Sequence, residues 1–248
     1  MNKATRTLVL FTAALFALAG AVGTASAATI TWLNMAPTAI GSPIPNGQVI
    51  NVPGIGNVTI TYSIPANFTY LRQAGGGFVA GNVGAGAYTW TNYESFSTIF
   101  TDTPDPLVPL AFSITYTFPG PLAAGSVFVG SIGLGQTTSF GGGASVYTVN
   151  QNGAFLGDYT DGGPWGPTAY TGGPGTFSLQ NSVNGAGGAN PWWNTPLGVV
   201  KVTDQITSLT VNGSQICGDG IAVNIGFDIA HATPTNSSTW GQLKSLYR

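Results

Sequence analysis

Phe112-Ser113-Ile114-Thr115-Tyr116-Thr117-Phe118 decides how the chain folds. Every second residue is large and apolar, and each residue between carries a hydroxyl. A period of two puts the four apolar side chains on one face and the hydroxyls on the other, as a half-buried antiparallel strand requires. The pattern recurs on both sides of this stretch. Val58, Ile60 and Tyr62 alternate with Thr59, Thr61 and Ser63, and Ile221, Val223, Ile225 and Phe227 alternate with Ala222, Asn224, Gly226 and Asp228. Further strand candidates are Thr29–Leu33, Gln48–Val52, Ala87–Thr91, Phe96–Phe100, Ser126–Ile132, Ser145–Val149, Thr176–Leu179, Gly198–Val202 and Ser208–Val211. No segment between the leader and residue 238 carries a helical period.

Turn chemistry separates the strands. Asn152-Gly153 stands between Tyr147–Val149 and Phe155–Leu156 and reads as a type I′ hairpin turn, in which both central residues need positive φ. Asn212-Gly213 is a candidate for a second. Most prolines fall between strands, where a missing N–H costs no ladder bond. About a dozen short strands with Gly and Pro turns predict an all-β fold, a two-sheet antiparallel sandwich of jelly-roll type. Two stretches read as irregular: Gln73–Ala87, a Gly-rich hairpin loop, and Asp158–Pro196, rich in Gly, Pro, Asn and Trp. A segment as long as the second is a candidate functional loop.

The first 27 residues have the three parts of a secretory signal: Lys3 and Arg6, an uncharged apolar run from Leu8 to Ala21, and the small-residue site Ala25-Ser26-Ala27. The apolar run is shorter than the roughly 20 residues of a spanning helix. The expected organisation is a signal helix over 1–27, a sandwich domain over 28–232, and a linker with a short helical tail over 233–248. The product is expected to be secreted or held at the cell surface, with no membrane span after the signal is removed. Cleavage after Ala27 leaves 221 residues with four basic side chains (Arg72, Lys201, Lys244, Arg248) against eight acidic ones, a net charge of −4. So few cations exclude nucleic acid as a partner, because phosphate binding needs clustered Lys and Arg. Cys217 is the only cysteine, so no internal disulfide holds the fold, and it reads as a small buried hydrophobe.

The catalytic inventory is thin. His231 is the sole histidine, too few for a usual zinc site, and no Gly-x-Ser-x-Gly elbow occurs. The expectation is therefore a protein that is not an enzyme. The alternative is a glycoside hydrolase, which needs two carboxylates flanking a sugar, drawn from Glu94, Asp102, Asp105, Asp158, Asp161, Asp204, Asp219 and Asp228. Most of these stand in turns, where a carboxylate commonly binds local backbone N–H groups. Asp158, Asp161 and Asp219 are candidates for a structural calcium, which takes six to eight oxygens, some from Gly-rich backbone. No other cofactor is indicated.

The aromatic residues point to a ligand. Tyr159, Trp165, Tyr170, Trp192 and Trp193 all lie in the Asp158–Pro196 segment. Exposed rings of this kind stack on the C–H face of a sugar while Asn, Gln and Asp bind its hydroxyls, which suits a polysaccharide or cell-surface glycan. The alternative is that they pack a loop onto the sandwich. Trp32 and Trp90 alternate within strand patterns and read as core. The leading expectation is a binding or adhesion module for glycans. A self-assembling coat, matrix or filament subunit is the other non-catalytic reading, since low charge and many strand edges favour self-association.

The C-terminus is a separate unit. In Ser238-Thr239-Trp240-Gly241-Gln242-Leu243-Lys244-Ser245-Leu246-Tyr247-Arg248, the residues Trp240, Leu243 and Leu246/Tyr247 share one helical face behind a Ser or Thr N-cap. This ending resembles a short tail found on otherwise dissimilar exported bacterial proteins. The body, through Ile206–Gly213 and Gly218–Phe227, is similar in style to exported β-sandwich proteins with the PEP-CTERM anchor. That resemblance implies an exported sandwich, but Pro-Glu-Pro, a following membrane helix and a terminal Arg cluster do not occur, so the sorting route is not implied. Trp240, Gly241, Lys244, Tyr247 and Arg248 are the candidate sorting residues. Deleting Trp240–Arg248 is expected to leave the fold intact, by circular dichroism, and to change where the protein is found on cell fractionation; unchanged location would mean the tail is a docked terminal turn.

Overall fold

The structure, a computed structural model, describes residues 30–34, 44–63, 68–73, 83–85, 87–90, 96–100, 110–132, 146–159, 168–181, 197–215 and 222–232. The signal segment and the C-terminal tail lie outside these residues. The strands are β1 (Ile30–Trp32), β2 (Gln48–Val52), β3 (Gly56–Ser63), β4 (Phe68–Gln73), β5 (Val83–Ala85), β6 (Tyr88–Trp90), β7 (Phe96–Phe100), β8 (Leu110–Leu122), β9 (Val127–Ile132), β10 (Val146–Val149), β11 (Gly153–Tyr159), β12 (Thr168–Gly173), β13 (Thr176–Asn181), β14 (Leu197–Val202), β15 (Ile206–Gln215) and β16 (Ala222–Asp228). The only helical element among the described residues is a 3-10 turn, Ile229–His231.

Fourteen of these strands form two antiparallel sheets of seven. The first runs β11-β14-β9-β16-β7-β4, with β1 also paired to β16, and the second runs β12-β13-β10-β15-β8-β3-β2. The chain order shows the fold. Within the first sheet the run β7-β16-β9-β14 stands against β8-β15-β10-β13 in the second. The chain visits these eight strands as β7, β8, β9, β10, β13, β14, β15, β16, changing sheet at every step except β10 to β13, which are neighbours. Two interlocked Greek keys of this kind make a jelly roll. Its edges are extended by β11 beside β14, β4 beside β7, β12 beside β13, and β3 and β2 beside β8, while β5 and β6 pair separately.

The alternation read from the sequence sets the core. Phe112, Ile114, Tyr116, Phe118, Val58, Ile60, Leu209 and Val211 of the second sheet meet Val129, Val200, Val223, Ile225 and Phe227 of the first, all buried in one cluster. Fully burying each such side chain contributes about 1.5–3 kcal/mol.

The first sheet is buried on its outer face too. There Ile30, Trp32, Trp90, Phe128, Leu197 and Val199 form a second cluster, with Trp32 and Trp90 in edge-to-face contact at 5.5 Å. Trp32 and Trp90 are core, as expected, but of this outer layer. Two glycines make room for the rings. A Cβ at Gly130 would stand 2.5 Å from the Trp90 ring, and one at Gly226 would stand 2.8 Å from the Trp32 ring.

Four expectations from the sequence are revised by the fold. Asn152-Gly153 is not a hairpin turn: β10 and β11 belong to opposite sheets, and neither residue has positive φ. The pair serves packing instead. A Cβ at Gly153 would meet Phe177 at 2.6 Å and Val200 at 2.7 Å. Asn212-Gly213 lies inside β15, where a Cβ on Gly213 would collide with the Phe112 ring. The Asp158–Pro196 segment is not loop throughout. It contains the β12–β13 hairpin, closed by Pro174-Gly175 with Gly175 at φ +75°, the Pro-Gly arrangement of a type II turn. Likewise the Gln73–Ala87 stretch holds β5, paired with β6.

Asn152 joins three turns at one end of the sandwich. Its N–H and side-chain amide donate to the two oxygens of Asp204, at 2.6 and 2.8 Å, and its Oδ1 accepts from the N–H of Gly175 at 2.7 Å. The side-chain bond and then the backbone bond from Asn152 hold the Asp204 carboxyl below its usual range, outweighing a small opposing effect of burial. A depressed folded pKa contributes stability that is present above the unfolded value, about 3.9, and lost as pH falls through the lower folded value. Asp204→Asn is therefore expected to have a lower melting temperature at neutral pH and a shallower fall on acidification below about pH 4. Parallel melting profiles for the two proteins would contradict this role.

Candidate functional site

The described outer positions of the second sheet are half-buried to exposed, and their composition is uniformly uncharged. Because Ile114, Tyr116, Tyr147, Val149, Leu179 and Val211 point inward, their strand neighbours point outward. Strand register aligns those neighbours across the sheet. Ser63 of β3 faces Ser113 of β8, which faces Asn212 of β15; Asn212 faces Thr148 of β10, which faces Ser178 of β13, which faces Thr171 of β12. Six strands thus place six hydroxyl or amide groups in one row, roughly 24 Å long at the usual strand spacing.

A second row, Thr61, Thr115 and Thr210, runs beside it, with the Thr115 and Thr210 hydroxyls 2.8 Å apart in a hydrogen bond. A third joins Val49, Thr59, Thr117 and Ser208. Period-two alternation places no Lys, Arg, His, Asp, Glu or aromatic residue on this face among the described residues. Nothing described there titrates, and its hydrogen-bonding groups are neutral.

The opposite situation holds at one end of the interior. A β-bulge in β11 between Phe155 and Gly157, with Gly157 at φ +127°, shifts the alternation by one residue. Asp158 consequently points between the sheets, where its Oδ2 accepts the Thr168 N–H at 2.9 Å, while Tyr159 turns to the outer side.

Two of the aromatic residues singled out from the sequence pack against neighbouring rings. Tyr159 packs on Tyr88 with ring centroids 4.3 Å apart and joins the outer tryptophan cluster; burial, with Tyr159 beside it, raises the Tyr88 phenol above its usual value. Tyr170 stacks on Phe155 at 5.4 Å and donates to the Gly153 carbonyl at 2.6 Å. Both rings are half-buried, and both pack the strands that carry them. Trp165, Trp192, Trp193, Asp161, Asp219 and Cys217, with Trp240, Gly241, Lys244, Tyr247 and Arg248 of the tail, lie outside the described residues. Of the carboxylates, Asp158, Asp204 and Asp228 are described. Asp204 is held by Asn152, and Asp228 pairs with His231 at 2.9 Å. Asp158 pairs with Gly198 and Asp204 follows Val202, so about 13 Å of β14 separates their rows, beyond the reach of a two-carboxylate site.

The hydroxyl rows were visible in the sequence only as the polar half of each alternation; their alignment needed the register. The chain matches no protein-family model, no curated protein and no solved structure.

Proposed function

We propose that this is an exported, non-catalytic surface or matrix protein whose open sheet face binds an extended, uncharged polysaccharide. The row Ser63–Ser113–Asn212–Thr148–Ser178–Thr171 carries the reading. Neutral donors and acceptors match sugar hydroxyls and have no electrostatic attraction for a phosphate or carboxylate polymer. A typical hydrogen bond contributes only about 0.5–1.5 kcal/mol net, so a row of them suits a repeating chain better than one small sugar. Sheet twist, roughly 20–25° per strand, favours a flexible chain over a flat crystalline surface. Trp165, Trp192 and Trp193 belong to segments that flank the β12–β13 hairpin in sequence, and that hairpin ends the row.

Affinity electrophoresis in gels containing soluble neutral polysaccharides, with alginate as the charged control, tests this. Ser113→Ala/Asn212→Ala/Thr148→Val is expected to weaken binding at least about tenfold at an unchanged circular dichroism spectrum, and binding by the wild type is expected to vary little with salt or pH. Full binding by this variant together with loss in Trp192→Ala/Trp193→Ala would place the site on the aromatic segment instead.

One observation favours self-assembly as a second reading. Val49, 48% exposed, is the one large exposed hydrophobe among the described residues and sits on edge strand β2, whose sequence Gln-Val-Ile-Asn-Val holds no charge and no proline. Light scattering that grows with concentration in the wild type and not in Val49→Lys is the expected result if β2 pairs between copies; a concentration-independent monomer rules it out.

A further inference from the structure

Beside the six-strand polar row runs a row of different character. Two residues along each strand stand Ala111 of β8, Ser214 of β15, Val146 of β10, Gln180 of β13 and Ala169 of β12. Ala111 is in register with Ser214, Ser214 with Val146, and Ala169 with Gln180. Val146 and Gln180 follow the Tyr147–Leu179 pair on the next step of the ladder. Phe112, Tyr147 and Leu179 are buried in the core, so their strand neighbours in this row point outward. All five are half-buried to exposed.

Read across the sheet, this row alternates: apolar, polar, apolar, polar, apolar. The polar row beside it does not, since each of its strands supplies a hydroxyl or an amide. One row therefore repeats with every strand and the other with every second strand, at about 4.8 Å and about 9.6 Å. A ligand matching both advances about one strand spacing per unit and offers a hydroxyl at every unit. It also turns a C–H surface toward the second row at every other unit.

An extended pyranose chain with equatorial 1,4-linkages has this form. Each ring advances the chain by close to one strand spacing, and successive rings are flipped, so the repeat is a disaccharide with alternating edges. Linkages that coil the chain lose the first period. A linkage with an additional rotatable bond holds neither.

We propose that the open face selects an extended, equatorially 1,4-linked neutral glycan, with one sugar residue over each strand of the polar row. This rests on the polysaccharide reading and narrows it from any uncharged polymer to one chain geometry. Val146 is the specificity residue at the centre of the alternating row. It stands between Ser214 and Gln180 and gives a C–H contact to one ring in two.

Isothermal titration calorimetry of the mature chain with 1,4-β-linked gluco-oligosaccharides of two to six residues tests this. Gluco-oligosaccharides of equal length with 1,3-β and 1,6-α linkages are the controls. Affinity for the 1,4-β series is expected to rise roughly two- to tenfold with each residue up to the hexamer. The control hexamers are expected to bind at least about tenfold more weakly. Val146→Thr, nearly the same in shape, is expected to weaken hexamer binding about threefold at an unchanged circular dichroism spectrum. Equal affinity for the three linkages, still lost in Ser113→Ala/Asn212→Ala/Thr148→Val, overturns the selection and leaves the polysaccharide reading standing. An affinity that stops rising at three residues does the same. A 1,4-β preference that survives in that triple variant places the selection elsewhere and also overturns it. No binding of any neutral oligosaccharide or polysaccharide by the wild type overturns both.

Discussion

A β-strand has two faces, and a sandwich satisfies only one of them by closing the sheets on each other. The rest of this structure depends on what becomes of the second face. The inner set, from Phe112, Ile114 and Tyr116 on one side to Val129, Val200 and Ile225 on the other, is buried as a single cluster. The two outer faces then diverge. On the first sheet Trp32, Trp90 and Phe128 build a further apolar layer, which only Gly130 and Gly226 can accommodate, because any Cβ there would enter an indole ring. Both indole N–H groups are buried without an acceptor, so packing area and not hydrogen bonding holds that layer. On the second sheet the outer positions carry mostly Ser, Thr, Asn and Gln, half-buried to exposed.

That asymmetry suits each sheet to a different part in the proposed binding. A sheet buried on both sides is a rigid backing, and rigidity lets an opposing face present groups at fixed spacing. An array of neutral hydroxyls gains little from any single contact, so its strength rests on strand register. In a jelly roll, register is set by the inner alternation, because a slip of one residue would turn Tyr147 or Leu209 outward. Core packing and the alignment of Ser113, Asn212 and Thr148 are therefore one constraint.

The strands were legible because their period is two. Valine, isoleucine and aromatic positions at every other residue in Val58–Tyr62, Phe112–Phe118 and Val223–Phe227 carried the fold class directly. Glycine was misread wherever its use was steric. Gly153 and Gly213 follow asparagine, and that dipeptide commonly marks a turn, yet each is glycine because a ring from a distant strand, Phe177 or Phe112, occupies the space of its side chain. No local pattern encodes such a contact. The Pro174-Gly175 turn carried a readable signal that the glycine-rich surroundings obscured. Asp158 stood out as a carboxylate beside turn residues, but its inward direction depends on a bulge, and a bulge breaks the period by which direction is read. Of the candidate aromatic site, Tyr159 and Tyr170 serve the packing of β11 and β12.

The proposed working surface is the outer face of the second sheet. Amide chemical-shift mapping of the isotope-labelled mature chain, titrated with a soluble neutral β-glucan that it retards in gels, tests this most directly. Binding at this face predicts perturbations confined to β3, β8, β15, β10, β13 and β12, strongest at Ser113, Asn212 and Thr148, with β9, β14 and β16 unmoved. Perturbations centred on the first sheet or on the turns around Asn152, with those three residues silent, would contradict it.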